Sequence, residues 1–145
     1  MKKMFATPDE AESAFYDAFE RANLSAMMAV WAETDDVVCV HPQGPRLVGF
    51  EAVRDSWMQI FAGGAQLRVR PTEQRRFDAQ SVAVRVVIEL VTPAREEGPV
   101  SSVCATNVYE LTANGWRMVS HHASPLVEAP ATQAEEPVPA GYTLH

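Results

Sequence analysis

Apolar residues recur every three or four positions through the first thirty residues, then from residue 37 give way to short runs and alternations. Phe15, Ala18, Phe19 and Ala22 share one face of a helix expected over 8–22. Thr7, Pro8 and Glu10 supply a capping hydroxyl, a first-turn proline and an acid three residues beyond the cap. Asn23 can cap a second helix over 24–33, with Leu24, Met27, Met28 and Trp31 on its apolar face. The helical period returns once more at Phe50, Val53, Trp57, Ile60 and Phe61, predicting a helix over 50–62 that Gly63 and Gly64 stop.

Between the second and third helices, "VVCVH" reads as a strand, and "PQGPR" turns it toward a brief strand at Leu47 and Val48. Further strands are expected over about 66–74, 76–91, 99–111 and 115–123, with candidate turns at "DAQ", "REEG" and "ANG". Helices first and antiparallel strands afterwards make an α+β domain. The strand "SVAVRVVIEL" is apolar on both parities over part of its length, so its second face packs on something beyond the helices. A second copy of the sheet would supply that cover in a symmetric homodimer; a tightly curled single sheet is the alternative.

With 145 residues and 47% hydrophobic content, the chain suits one domain, expected over 1–125. After Pro125 the sequence turns Pro-, Ala- and Glu-rich without periodicity, which predicts a flexible tail over 126–145. Twelve basic against nineteen acidic residues give a net charge of -7, which speaks against a nucleic-acid partner. Cys39 and Cys104 lie in apolar runs without CxxC spacing and read as free thiols of a reducing compartment. No apolar stretch precedes the first acidic residues, and none approaches the ~20 residues of a membrane helix. A cytoplasmic protein without a membrane partner is the expectation.

Among residues that carry chemistry, His41 stands where an apolar strand meets Pro42. Three roles are open to it: a turn residue bonded to a loop carbonyl, a metal ligand, or a pocket group facing a ligand. His121 and His122 adjoin on the last strand and should point to opposite faces, the inward one undecided. A metal needs three or four converging ligands; His41 and one of this pair supply two, with Cys39 on the His41 parity, so neither metal nor cofactor is expected. Asn107 sits on an otherwise apolar parity and must find a hydrogen-bond partner. Trp31, Trp57 and Phe61 read first as core aromatics.

The ordered set "FYDAFERANLSAMMAVWAETDDVVCVHPQGPRLVGFEAVRDSW" and "GWRMVSHHASP" resembles a SnoaL-like protein of the NTF2-like superfamily over residues 8 to 125. The resemblance implies a cone: three N-terminal helices packed on a strongly curved mixed β-sheet, enclosing a pocket, with dimers formed through the sheet's outer surface. It turns His41, Trp31, Trp57, Phe15, Tyr16, Asn107, His121 and His122 into candidate pocket residues. In the family's ketosteroid isomerase, the catalytic carboxylate precedes a proline, a place matched here by His41–Pro42. Its helix-borne tyrosine matches Phe15, with Tyr16 one residue off, and its late-strand aspartate falls near Cys104 to Asn107, where no aspartate stands. Phenylalanine donates no hydrogen bond, and losing one oxyanion donor costs about 3–4 kcal/mol. Steroid isomerisation is thus disfavoured. The expectation is a pocket domain of undetermined activity that binds a small apolar molecule. The alternatives are a lyase-, isomerase- or cyclase-type enzyme with His41 as general base, and a dimeric scaffold or protein-interaction module.

Overall fold

The computed structural model describes residues 4–63, 67–93 and 100–127. The elements are α1 (Pro8–Arg21), α2 (Leu24–Val30), β1 (Val38–Val40), β2 (Arg46–Val48), α3 (Phe50–Ala62), β3 (Leu67–Asp78), β4 (Val82–Pro93), β5 (Ser101–Thr112) and β6 (Gly115–Pro125). The strands form one open sheet in the order β2-β1-β6-β5-β4-β3. Among these strands β1 pairs with β6 in parallel, and the other strand pairings are antiparallel. Three helices on a mixed six-stranded sheet is the α+β architecture expected from the sequence.

Local chemistry explains the helix limits. The Thr7 hydroxyl accepts from the Glu10 backbone N–H at 3.1 Å, and Pro8 occupies the first turn. Ala22 ends α1 in the left-handed region at φ 50°. The Asn23 side chain caps α2 by accepting from the Ala26 N–H at 3.0 Å. That helix stops at Val30 rather than running to 33. Trp31 turns extended and bridges Met118 in parallel, and the Ala32 N–H donates to the Met118 carbonyl at 3.0 Å. Pairing with the sheet therefore overrides the helical spacing of Trp31.

Two bulges redirect the sheet. The break expected near residue 75 is a bulge: β3 continues to Asp78, its register shifts between Thr72 and Arg75, and Glu73 has φ 49°. The turn lies at 79–81, overlapping the expected "DAQ", and is closed by the Ala79 N–H on the Val82 carbonyl. In β6 the register shifts again, because Val108 faces Ser120 while Tyr109 faces Met118. The extra residue switches the strand's parity, so Met118 and His121 are both buried inward. Neither strict alternation read from the sequence holds across the whole strand. A bulge bends its strand and strengthens its twist. The expected "REEG" turn and the strand limits at 66 and 99 lie outside the described residues, as does the tail from 128 onward.

α1 lies across β3, β5 and β6. Between helices and sheet are packed Phe15, Met27, Val53, Trp57, Val87, Tyr109 and Met118, all at most 1% exposed. The β5–β6 hairpin needs its glycine. Gly115 has φ +87°, and a Cβ there would stand 2.8 Å from the Phe5 carbonyl oxygen. That close approach lets the Trp116 N–H reach the same oxygen at 2.9 Å and ties the segment before α1 to the hairpin.

Candidate functional site

α1 faces the sheet with polar side chains at helical spacing: Asp9, Glu12 and Tyr16. Asp9 accepts from Arg76 and Arg85, and Glu12 from Gln74. Arg85 is fully buried and also pairs with Asp78. Tyr16 reaches deeper. Its hydroxyl donates to Glu89 Oε2 at 2.7 Å and accepts from Asn107 Nδ2 at 2.8 Å. Asn107 Oδ1 in turn lies 2.6 Å from His121 Nδ1, its direct cross-strand neighbour.

The donors in this chain all point one way. His121 Nδ1–H donates to Asn107, Asn107 to Tyr16, and Tyr16 to Glu89, the terminal acceptor. All four side chains are at most 6% exposed. Burial pushes the Glu89 carboxyl up to about 7, with the Tyr16 hydrogen bond pulling the other way. Burial, followed by repulsion from His41 and His122, pushes His121 down to about 3, so its ring is neutral. Burial together with the Glu89 charge raises the Tyr16 phenol far above its usual range.

His41, the residue after β1, is half-buried at the edge of this chain. Its ring stands edge-on to Trp57 with centroids 4.7 Å apart, and 6.4 Å from the His121 ring. Its Nε2 lies 2.9 Å from Ser56 Oγ and 3.5 Å from Cys39 Sγ. Burial lowers the His41 pKa and raises the Cys39 thiol to about 12. Trp57 is the hub of the aromatic wall, with Phe15, Phe19 and Phe61 at centroid distances of 5.7, 4.9 and 5.6 Å.

Of the residues singled out in the sequence, the structure thus gathers His41, Trp57, Phe15, Tyr16, Asn107 and His121. Two stand apart. His122 is exposed, its neighbour His121 having taken the inward place. Trp31 is buried beside Met118 and lines a separate pocket of about 290 Å³ with Met28, Thr112 and Arg117. Glu89, Arg85 and Ser56 were not singled out. Glu89 and Arg85 share the parity of buried Ala83 and Val87, so charge on an apolar parity was their signal. Ser56 had no such mark. Among the described residues, no three His, Cys, Asp or Glu side chains group as a metal would require.

The SnoaL-like domain model matches residues 9–128, and the chain belongs to that family, within the NTF2-like proteins. A Thiobacillus denitrificans structure, provisionally assigned as a calcium/calmodulin-dependent protein kinase type II association domain, is 42% identical. The match covers 86% of this chain and 99% of that one with a TM-score of 0.78. A Streptomyces avermitilis structure, provisionally assigned as a dehydratase of the NTF2-like family, is 30% identical over 84% of this chain and all of its own, with a TM-score of 0.74. The Arabidopsis thaliana F-box protein SKIP8 is 28% identical over 113 residues, 76% of this chain. The matched stretch spans 46% of that plant protein's length. Among the described residues, no helix is long and apolar enough to cross a membrane.

Proposed function

We propose that this protein is a small-molecule-binding domain that takes a largely apolar ligand at the end of β1, beside α3, with the half-buried His41 as the polar group it meets. The interior supports this reading most directly. An ordered polar chain from His121 to Glu89 lies beside an aromatic wall, and His41 at its edge is half-buried rather than enclosed. Packing alone is served more cheaply by apolar side chains, because every buried polar group must be desolvated and then satisfied. An apolar wall with a few placed polar groups suits a ligand of the same make-up. A lyase- or isomerase-type reaction with neutral His41 as base is the second reading. It is less supported because Tyr16 and Asn107, the donors for developing negative charge, are already committed to Glu89 and to each other. Titrating small apolar alcohols and carbonyl compounds into labelled protein should move the His41 ring resonances. His41→Ala should weaken binding more than folding. Ligands that bind without moving those resonances, together with an unfolded H41A, would make His41 structural.

The same reading includes a homodimer through the outer sheet face and a cytoplasmic location. Val84, Val86, Ile88 and Leu90 of β4 are only half-covered, and Phe77 on β3 is 62% exposed. The relative 42% identical is assigned as an association domain. Both cysteines are unpaired, as suits a reducing compartment. Sedimentation at micromolar concentration should give about twice the 16.0 kDa chain mass, and Ile88→Asp should halve it. A monomer throughout that range would refute the dimer.

A further inference from the structure

The Ser56 hydroxyl has one hydrogen, and that hydrogen is already used. Its Oγ lies 2.7 Å from the Val53 carbonyl oxygen, which can only accept. The same Oγ lies 2.9 Å from His41 Nε2. Were that nitrogen bare, two lone pairs would face each other at hydrogen-bond distance. The hydrogen between them must therefore belong to the imidazole. Cys39 Sγ at 3.5 Å occupies the same edge of the ring. Nδ1 has no hydrogen-bond partner among the described residues. Burial keeps the ring neutral near pH 7, so it carries a single hydrogen.

We propose that Ser56 is a positioning residue that holds His41 as the Nε2–H tautomer, so that the site offers a ligand the Nδ1 lone pair and selects molecules bearing a hydrogen-bond donor. Hydroxyl, phenol and N–H compounds are the ligand class; ketones, esters and ethers of the same shape offer no hydrogen to that nitrogen. This deepens the ligand-binding reading and rests on it. The tautomer itself does not depend on a ligand, so the two are tested apart. Neutral imidazole nitrogens differ in 15N shift according to whether they carry hydrogen, and the backbone carbonyl of Val53 leaves Ser56 no other role than acceptor toward His41.

The test is a long-range 1H–15N correlation of His-labelled full chain above pH 7, followed by titration with cyclohexanol and cyclohexanone. His41 should show a hydrogen-bearing Nε2 and a bare Nδ1, and the alcohol should bind about 2- to 10-fold more tightly than the ketone. Ser56→Ala should mix the tautomers and erase the preference, while Ser56→Thr, which keeps a hydroxyl, should restore both. A purely structural Ser56 would leave the tautomer unchanged in the folded alanine variant, which would overturn the assignment. A bare Nε2 in the wild type, or equal binding of alcohol and ketone, would overturn it too. A hydrogen-bearing Nε2 with neither compound moving the His41 resonances would refute the ligand reading on which the selection rests.

Discussion

Replacing Glu89 by glutamine keeps an oxygen to accept from the Tyr16 hydroxyl and removes the negative charge that this buried carboxyl can carry. In the folded protein the Glu89 carboxyl titrates near 7, raised by burial from an ordinary value of 4.5. The unfolded chain therefore loses its proton first. As pH rises from 4.5 to 7 the folded state grows less stable through this group, and above 7 the penalty is constant. At about 1.4 kcal/mol per pH unit, the gap amounts to about 3 kcal/mol. His121 acts in the opposite sense: unfolded histidine gains a proton below 6.5 whereas the folded ring waits until about 3, so stability falls on acidification through that range. The two effects oppose each other between 4.5 and 6.5, so the wild-type profile alone is uninformative there. The difference between E89Q and wild type isolates Glu89. Urea denaturation from pH 4.5 to 8 should show that difference growing from near zero to about 3 kcal/mol in favour of E89Q. A difference that stays flat across this range would mean that Glu89 titrates as a solvated carboxyl, and the enclosed polar chain would be wrong.

Tyr16→Phe removes the donor to Glu89 and the acceptor of the Asn107 amide together, leaving two buried groups unsatisfied. It should cost about 1–3 kcal/mol in urea denaturation at pH 7 and raise the Glu89 pKa further, read from its carboxyl 13C shift; an unchanged Glu89 titration would deny the contact. Gly115→Ala adds a Cβ 2.8 Å from a backbone oxygen at a positive φ, and should cost about 1–3 kcal/mol in thermal melts. An unaltered Tm would mean that the Phe5 segment does not lie against the hairpin.

The helices and their caps were legible in the chain because they depend on neighbours a few residues away. Thr7, Pro8 and Asn23 act within one turn, and the apolar stripe of 50–62 emerges as α3 with its Trp57 buried. The order of elements was enough to resemble a family, and with it came the expectation of a mixed sheet. The places where the reading departed are those where a distant strand outweighed local spacing. Trp31 left its helical stripe for a bridge to Met118, eighty-odd residues away, which no short-range periodicity encodes. A bulge in β6 moved His121 to the same face as Met118, because one extra residue inverts a period of two. His41 could be marked as a candidate from its position before Pro42, yet its tautomer follows from Ser56, whose hydroxyl is spent on Val53 only once α3 has formed and docked. Glu89 was present in the sequence as an acid on an apolar parity, but its affinity for a proton is a property of enclosure. Burial between α1 and the sheet supplies that, and burial exists only after the chain has folded.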